Sequence, residues 1–137
     1  MGMFTELYLS LELQKNLPDI ELSVLKYLFD GGNEPEKLPD HPFFKKVRWF
    51  LIGNCSSFYF VPMSTSHLYK ADNGNYYLTT RFDLKDYDNE IREFLRWLYP
   101  YINERVLGHI GHIRYEEDVE PTLLYYPKML ELMLEDS

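Results

Sequence analysis

The chain of 137 residues contains one cysteine, Cys55, and no apolar run near the roughly 20 residues needed to cross a bilayer. A lone cysteine excludes an internal disulfide and a zinc site built from several cysteines. The first residues also lack the basic and then apolar pattern of a secretory signal. We therefore expect a cytoplasmic protein that has no membrane partner.

Motifs that carry catalytic chemistry are missing as well. The sequence has no phosphate-binding glycine loop, no Gly-x-Ser-x-Gly elbow and no Cys, His and carboxylate cluster at metal-ligand spacing. In GHIGHIRYEED, His109 and His112 are three residues apart, so a regular strand places them on opposite faces unless Gly108 or Gly111 creates a bulge. We expect no metal and no cofactor, and we favour a non-catalytic protein over an enzyme.

Basic residues are scarce relative to acids. The chain has 14 Lys and Arg against 22 Asp and Glu, which gives a formal net charge of −8. Residues 1–70 contribute 8 acids and 7 bases, whereas residues 71–137 contribute 14 acids and 7 bases. Such a charge repels phosphate groups, so we expect no nucleic-acid partner, and it favours a protein partner with a basic surface.

Apolar and aromatic residues are plentiful. They make up 45% and 17% of the chain, with 12 Tyr and 9 Phe, so the chain can bury a core that offsets the entropy of folding. The length fits one domain spanning residues 1–137.

The first half of the chain contains a clear strand and a clear helix. ELYLSLELQ (6–14) alternates leucine with polar residues and predicts a strand with one buried face. Asn16 is suited to cap the following helix, and Gly31-Gly32 predicts its end. VRWFLIGNCSSFYFV (47–61) is apolar on both faces and predicts two strands, or one bent strand, buried on both sides.

The second half repeats this pattern. Asn73-Gly74 predicts a hairpin, and the strand after it is followed by a helix that Asp86 or Asp88 can cap and Pro100 ends. That helix is predicted to bury Ile91, Phe94, Leu95 and Leu98 and to point Glu90, Arg92, Glu93 and Arg96 outward. VLGHIGHIRY and TLLYYPKMLEL read as two further strands joined by the turn EEDVEP.

Two similar halves, at about residues 3–70 and 71–137, thus read as strand, helix, strand, strand, and SSFYFVP matches PTLLYYP. This order predicts an α+β two-layer sandwich: a mostly antiparallel sheet with two helices on one face, ferredoxin-like or a duplicated β-α-β-β.

Two functions of different class remain open. The first is an acidic inhibitor, immunity, counter-defence or regulatory interaction protein that occupies a partner's basic surface. Its candidate contacts are the acids around the second helix and the last turn: Asp83, Asp86, Asp88, Glu116, Glu117, Asp118 and Glu120.

The second function is the binding of a small molecule on the sheet face. Its candidate residues combine aromatic surface with hydrogen-bonding groups: Arg48, Trp49, Ser57, Tyr59, His112, Arg114 and Tyr115. Duplicated strand-helix-strand-strand modules resemble in outline the gyrase-inhibitor-like ligand-binding proteins, a resemblance that implies a ligand between the two halves. Edge strands such as TLLYYPKMLEL also leave a homodimer open.

Overall fold

The computed structural model of the protein describes residues 3–54, 57, 65–105 and 107–135. Its strands are β1 (Thr5–Leu13), β2 (His67–Lys70), β3 (Tyr76–Leu84), β4 (Gly108–Tyr115) and β5 (Thr122–Tyr126). Its α-helices are α1 (Asp19–Phe29), α2 (Glu90–Leu98) and α3 (Lys128–Glu135), and short 3-10 helices lie at Pro42–Lys45, Trp49–Leu51 and Tyr99–Tyr101. None of the helices among these residues combines the length and the apolar character needed to cross a membrane.

The five strands form one sheet in the order β2-β3-β1-β4-β5, and each neighbouring pair is antiparallel. β1 therefore lies at the centre, between β3 and β4. Since β3 is antiparallel to both β1 and β2, those two strands run parallel to each other. The predicted antiparallel sheet in a mixed α+β protein is confirmed.

The alternation in β1 sorts its side chains between two faces of the sheet. Leu7, Leu9, Leu11 and Leu13 are buried in the hydrophobic core, which they share with residues from all three helices. The opposite face, called the outer face below, carries Glu6, Tyr8, Ser10 and Glu12. The pattern predicted this division, but it did not predict that Glu6 and Glu12 are also buried.

Helix α1 ends as predicted but does not begin as predicted. Pro18 occupies its N-cap position without a side-chain hydrogen bond, so the predicted cap at Asn16 is wrong. The amides of Asp30 and Gly32 both donate to the carbonyl of Lys26. Gly31 between them has φ +70°, which a glycine adopts without steric strain.

Helix α2 has the predicted apolar stripe, with Ile91, Phe94, Leu95 and Leu98 all buried. The N-cap residue is Asn89, which makes no side-chain cap hydrogen bond, so the predicted cap at Asp86 or Asp88 is wrong in position. Asp86 Oδ1 nevertheless accepts a hydrogen bond from the Ile91 amide in the first turn at 3.1 Å. Glu90, which the pattern placed outward, is fully buried. The outward prediction for Glu90 is wrong because the guanidinium of Arg48 lies 3.0 Å from its carboxylate and compensates for its burial.

The strands predicted over residues 47–61 are wrong for the described part of this segment. Trp49–Leu51 form a 3-10 helix, and Trp49 packs edge-on against Phe43 and Phe44 at centroid distances of 6.2 and 5.2 Å. Gly53 follows, where a Cβ atom would lie 2.5 Å from the Phe29 ring. Apolar residues on both faces here serve an aromatic cluster, which local periodicity cannot separate from a buried strand. Residues 55, 56 and 58–61 lie outside the described residues.

The last predicted strand is half wrong. TLLYY forms β5, but Pro127 ends it because proline has no amide hydrogen for the ladder, and KMLELMLE forms α3 with Leu130 and Leu134 buried. β2 was not indicated by the sequence, although the hairpin at Asn73-Gly74 that joins it to β3 is confirmed. The two-halves repeat stays a prediction, because most of SSFYFVP lies outside the described residues.

Candidate functional site

One end of the sheet gathers most of the predicted partner-binding acids. Thr5 at the start of β1 is paired with Leu84 at the end of β3 and with Tyr115 at the end of β4. The segments 85–89 and 116–121 therefore leave the sheet at the same end, on strands that are two strand spacings, or about 10 Å, apart. We call this region the acidic end; it includes Asp86, Asp88, Glu116, Glu117, Asp118 and Glu120.

Several of the predicted acids have structural contacts. Glu116 Oε1 accepts a hydrogen bond from the Phe4 amide at 2.9 Å and so fixes the start of the chain to the turn after β4. Asp118 Oδ2 accepts from the Tyr115 amide at 3.3 Å within that turn. Asp83 is buried in β3, where its register partner is Glu6. The sequence did not distinguish these acids from freely exposed ones.

Three of the other acids are exposed beside apolar side chains, and one of them, Asp88, lies 3.4 Å from Lys46 Nζ in an ion pair. Asp88, Glu117 and Glu120 are exposed, and they come from two segments that are distant in the sequence. Tyr87 is 65% exposed and Val119 is 90% exposed in the same two segments. The acidic end therefore combines negative charge with exposed apolar surface.

Beneath the acidic end, two carboxyl groups share a partly buried position. Burial is the main cause that raises the pKa of Asp86 to about 6. A hydrogen bond to Glu90 and its negative charge act in the same direction, and the backbone amides of Ile91 and Glu90 oppose them. Arg48 Nη2 lies 3.0 Å from Glu90 Oε2 and donates to the Lys85 carbonyl at 2.6 Å. Arg48 was predicted as a ligand residue on a strand. It instead precedes the 3-10 helix Trp49–Leu51 and connects that helix to the loop before α2 and to Glu90.

The raised pKa of Asp86 predicts a pH dependence of stability. Between its ordinary value of 3.8 and about 6, the folded protein holds a proton that the unfolded chain has released, so stability from this group falls as pH rises through that window. In Asp86→Asn the side chain is uncharged, so its burial carries no cost of desolvating a charge, and its amide oxygen can still accept a hydrogen bond from the Ile91 amide. We expect it to gain stability relative to wild type as pH increases.

Urea unfolding at about pH 4 and about pH 7.5 measures this difference. The matched control is Asp88→Asn, since the Asp88 side chain is 64% exposed and its loss removes only a solvent-exposed ion pair with Lys46 at 3.4 Å. A stability difference between Asp86→Asn and wild type that stays constant with pH would contradict the expectation.

On the outer face, a polar cluster surrounds Glu6 and consists of Glu6, Ser57, Arg81 and His112. Arg81 Nε lies 2.9 Å from Glu6 Oε2, His112 Nε2 lies 2.7 Å from Glu6 Oε1, and the Ser57 hydroxyl donates to Oε2. Burial alone raises the pKa of Glu6, but the hydrogen bonds from these three side chains and the charge of Arg81 outweigh it and lower the pKa below 4.5. The carboxylate is therefore held ionised inside the protein.

The polar cluster brings together only part of the predicted ligand set. Ser57 and His112 meet at Glu6, and Arg114 is the register partner of Glu6 on β4. Arg48 directly precedes the 3-10 helix Trp49–Leu51 and Trp49 begins it, so neither lies on a strand, and Tyr115 is exposed at the acidic end. Tyr59 lies outside the described residues.

The connectivity of the polar cluster does not match a nucleophile and its base. The Ser57 hydroxyl donates to the carboxylate, and His112 contacts the same carboxylate, so Glu6 stands between the two groups that a catalytic triad would join directly. Glu6 itself was missed by the sequence reasoning. A signal existed, because a charged residue on a leucine-rich strand is unusual if that strand has neighbours on both sides.

The two histidines of GHIGHIRYEED fall on one face because β4 contains a bulge. The pairing of β4 with β5 shifts between His109 and Gly111, which leaves Ile110 as an extra residue that is buried. His109 is then paired with Tyr125 and His112 with Leu123, both on the outer face. The prediction of opposite faces for a regular strand is corrected by this bulge. Among the described residues, no three His, Cys, Asp or Glu side chains are grouped to hold a metal ion.

Comparisons with known proteins do not assign these features. No family model matches the chain, and no curated protein or solved structure shows significant similarity to it.

Proposed function

We propose that the protein is a non-catalytic binding protein of the inhibitor, immunity, counter-defence or regulatory kind, whose acidic end occupies a basic surface of a partner protein. One observation carries the proposal. Exposed Asp88, Glu117 and Glu120, from two distant segments, share one end of the sheet with the exposed side chains of Tyr87 and Val119.

The mixture of charge and apolar surface is what favours recognition over simple solubility. Acids scattered over a surface only keep a protein soluble, whereas interfaces place aromatic side chains within a polar rim. Tyr87 lies beside Asp88, and Val119 lies between Asp118 and Glu120, so each apolar side chain has acidic neighbours. The acids accelerate encounter with a basic partner, and the apolar groups slow dissociation once they are buried.

The strand order supports a ferredoxin-like arrangement, which we include in this proposal. β1, α1, β2, β3, α2 and β4 form two interleaved strand-helix-strand units, with the strands ordered β2-β3-β1-β4. This is the arrangement expected of a ferredoxin-like sheet, here extended by β5 and α3. In such an arrangement the acidic end is formed by loops, which carry recognition residues more often than the strands do.

Small-molecule binding on the outer face is the second candidate function. It is favoured by the meeting of Ser57 and His112 at Glu6. Against it, each Glu6 carboxylate oxygen already accepts a hydrogen bond from within the protein, so the carboxylate offers a ligand less than the exposed groups of the acidic end do.

Charge reversal at the acidic end tests the first function. The test variant is Glu117→Lys/Glu120→Lys, because within the described part of the chain neither glutamate makes a hydrogen bond that holds the turn, unlike Glu116 and Asp118. We expect affinity for the basic partner to fall at least about tenfold and its salt dependence to weaken, with an unchanged melting temperature.

The matched control is Asp72→Lys/Glu104→Lys, which changes the net charge equally. Both residues are exposed, and they lie at the opposite end of the sheet, near the pairing of Leu13 with Tyr76 and Ile102. The partner is first captured from a host lysate on wild-type protein, and each variant is then titrated with it. Equal losses for both variants would reduce the effect to overall charge, and no loss for Glu117→Lys/Glu120→Lys would reject the acidic end.

A further inference from the structure

β5 forms an edge of the described sheet and has no blocking residue inside the strand. Its one neighbour among the described strands is β4, so one side of its backbone has no strand partner there. Natural edge strands are commonly blocked by lysine, proline or an inward-pointing charge. Thr122–Tyr126, with the sequence TLLYY, contains none of these within the strand, and the flanking Pro121 and Pro127 limit pairing to these five residues.

The sequence of β5 is complementary to itself in an antiparallel arrangement. With Leu124 on a two-fold axis, Leu123 lies opposite the partner's Tyr125, and Thr122 lies opposite the partner's Tyr126. Leu123 and Tyr125 are 39% and 42% exposed on the outer face, so the arrangement creates two leucine-tyrosine pairs across the new strand boundary. We infer that the protein forms a two-fold symmetric dimer through antiparallel pairing of β5 with β5 of a second copy.

The charges around β5 favour this antiparallel orientation. The acidic turn 116–121 precedes the strand and Lys128 follows it. Antiparallel pairing places the two acidic turns at opposite ends of the interface and brings Glu120 towards the partner's Lys128. The opposite edge of the sheet, β2, is less suited, because it has four residues and ends in exposed Lys70.

The size and charge of the interface set its strength. A strand of five residues with two exposed apolar side chains buries less area than a standard stable interface, so we expect a dissociation constant on the order of micromolar. Each copy has a net charge of −8, and this repulsion is screened by salt. Added salt should therefore strengthen the dimer, whereas it weakens binding of a basic partner at the acidic end.

Sedimentation equilibrium from about 1 to about 200 μM protein measures the dimer. Leu123→Lys/Tyr125→Lys places four lysines at the two-fold interface, and we expect the dissociation constant to rise at least about tenfold. His67→Lys/Tyr69→Lys is the matched control, since both of its positions are exposed on β2 at the opposite edge. A monomer throughout this range, or a dimer lost only in the β2 variant, would overturn the inference.

A crosslinking experiment tests the register without lysine substitutions. Leu123→Cys and Tyr125→Cys are made separately in a Cys55→Ser background and oxidised alone or mixed. The proposed register predicts more disulfide-linked dimer in the mixture than in either variant alone. Equal crosslinking in all three samples, or none in the mixture, would contradict pairing centred on Leu124. Neither result bears on the acidic end, whose test uses different residues.

Discussion

Replacing Glu6 by alanine is expected to destabilise the protein by about 3 kcal/mol, because it removes the carboxylate of a buried ion pair. Glu6 is fully buried, while the Arg81 side chain it contacts is 26% exposed, so the expected cost lies at the lower end for a broken buried pair. His112 and Ser57 lose their common acceptor as well. Urea unfolding at neutral pH measures the change.

The effect of Glu6→Ala should depend on pH in a defined direction. The pKa of Glu6 is lowered in the folded protein, so its contribution to stability is present above the ordinary value of 4.5 and is lost as pH falls through the lowered pKa. The difference between wild type and Glu6→Ala should therefore be largest at neutral pH and shrink in acid. The contribution of Asp86 to stability changes in the opposite direction, because it falls as pH rises.

Glu12→Ala provides a control on the same strand and face. Glu12 accepts one hydrogen bond from the Asn75 side chain and two from Arg105, at 3.0 and 2.6 Å, but its charged partner Arg105 has a side chain that is 60% exposed. We expect Glu12→Ala to cost about 1 kcal/mol, as for ion pairs in contact with solvent. Equal destabilisation by the two substitutions would show that burial of the Glu6 partners does not decide the cost.

Gly111→Ala is expected to destabilise the protein by about 3 kcal/mol, the upper end of the cost of overpacking. A Cβ atom on Gly111 would lie 1.9 Å from the Tyr8 carbonyl oxygen, and this atom belongs to the backbone of the central strand. Relief requires β1 and β4 to move apart where Leu9 and Gly111 are paired. Urea unfolding gives the stability, and circular dichroism checks that the sheet still forms.

Gly31→Ala separates steric clash from backbone preference. A Cβ atom on Gly31 meets nothing within 4 Å, although the residue has φ +70°. We expect this substitution to cost about 1 kcal/mol, from the positive φ alone. If Gly111→Ala were no more destabilising than Gly31→Ala, the conclusion that β1 and β4 approach too closely for a side chain at Gly111 would be wrong.

The elements that could be predicted are those whose signal is local. The leucine alternation of β1, the Asn73-Gly74 hairpin and the apolar stripe of α2 depend on residues that are near one another in the chain. The strand prediction over residues 47–54 is wrong because Trp49 packs in an aromatic cluster with Phe43, Phe44 and the more distant Tyr27. α3 was missed because its leucine spacing extends over only eight residues directly after a strand.

The candidate site also contains features that the sequence indicated and features that it did not. The sequence identified the acids of the acidic end, because clustered charge is visible in the chain itself. It did not show that Glu116 and Asp118 accept backbone hydrogen bonds, since the Glu116 donor lies 112 residues away at Phe4. Nor did it identify Glu6, whose partners come from three distant segments.

The sequence by itself determined that this is an acidic α+β protein with an antiparallel sheet and a leucine-lined central strand. Composition and short-range periodicity suffice for those properties, because they depend on which side chains can share one face. Only the tertiary structure decided that two acidic segments meet at one end, that Glu6 is buried among Arg81, His112 and Ser57, and that a bulge aligns two histidines. Strand order and register set these distances, and both arise from contacts between residues far apart in the chain.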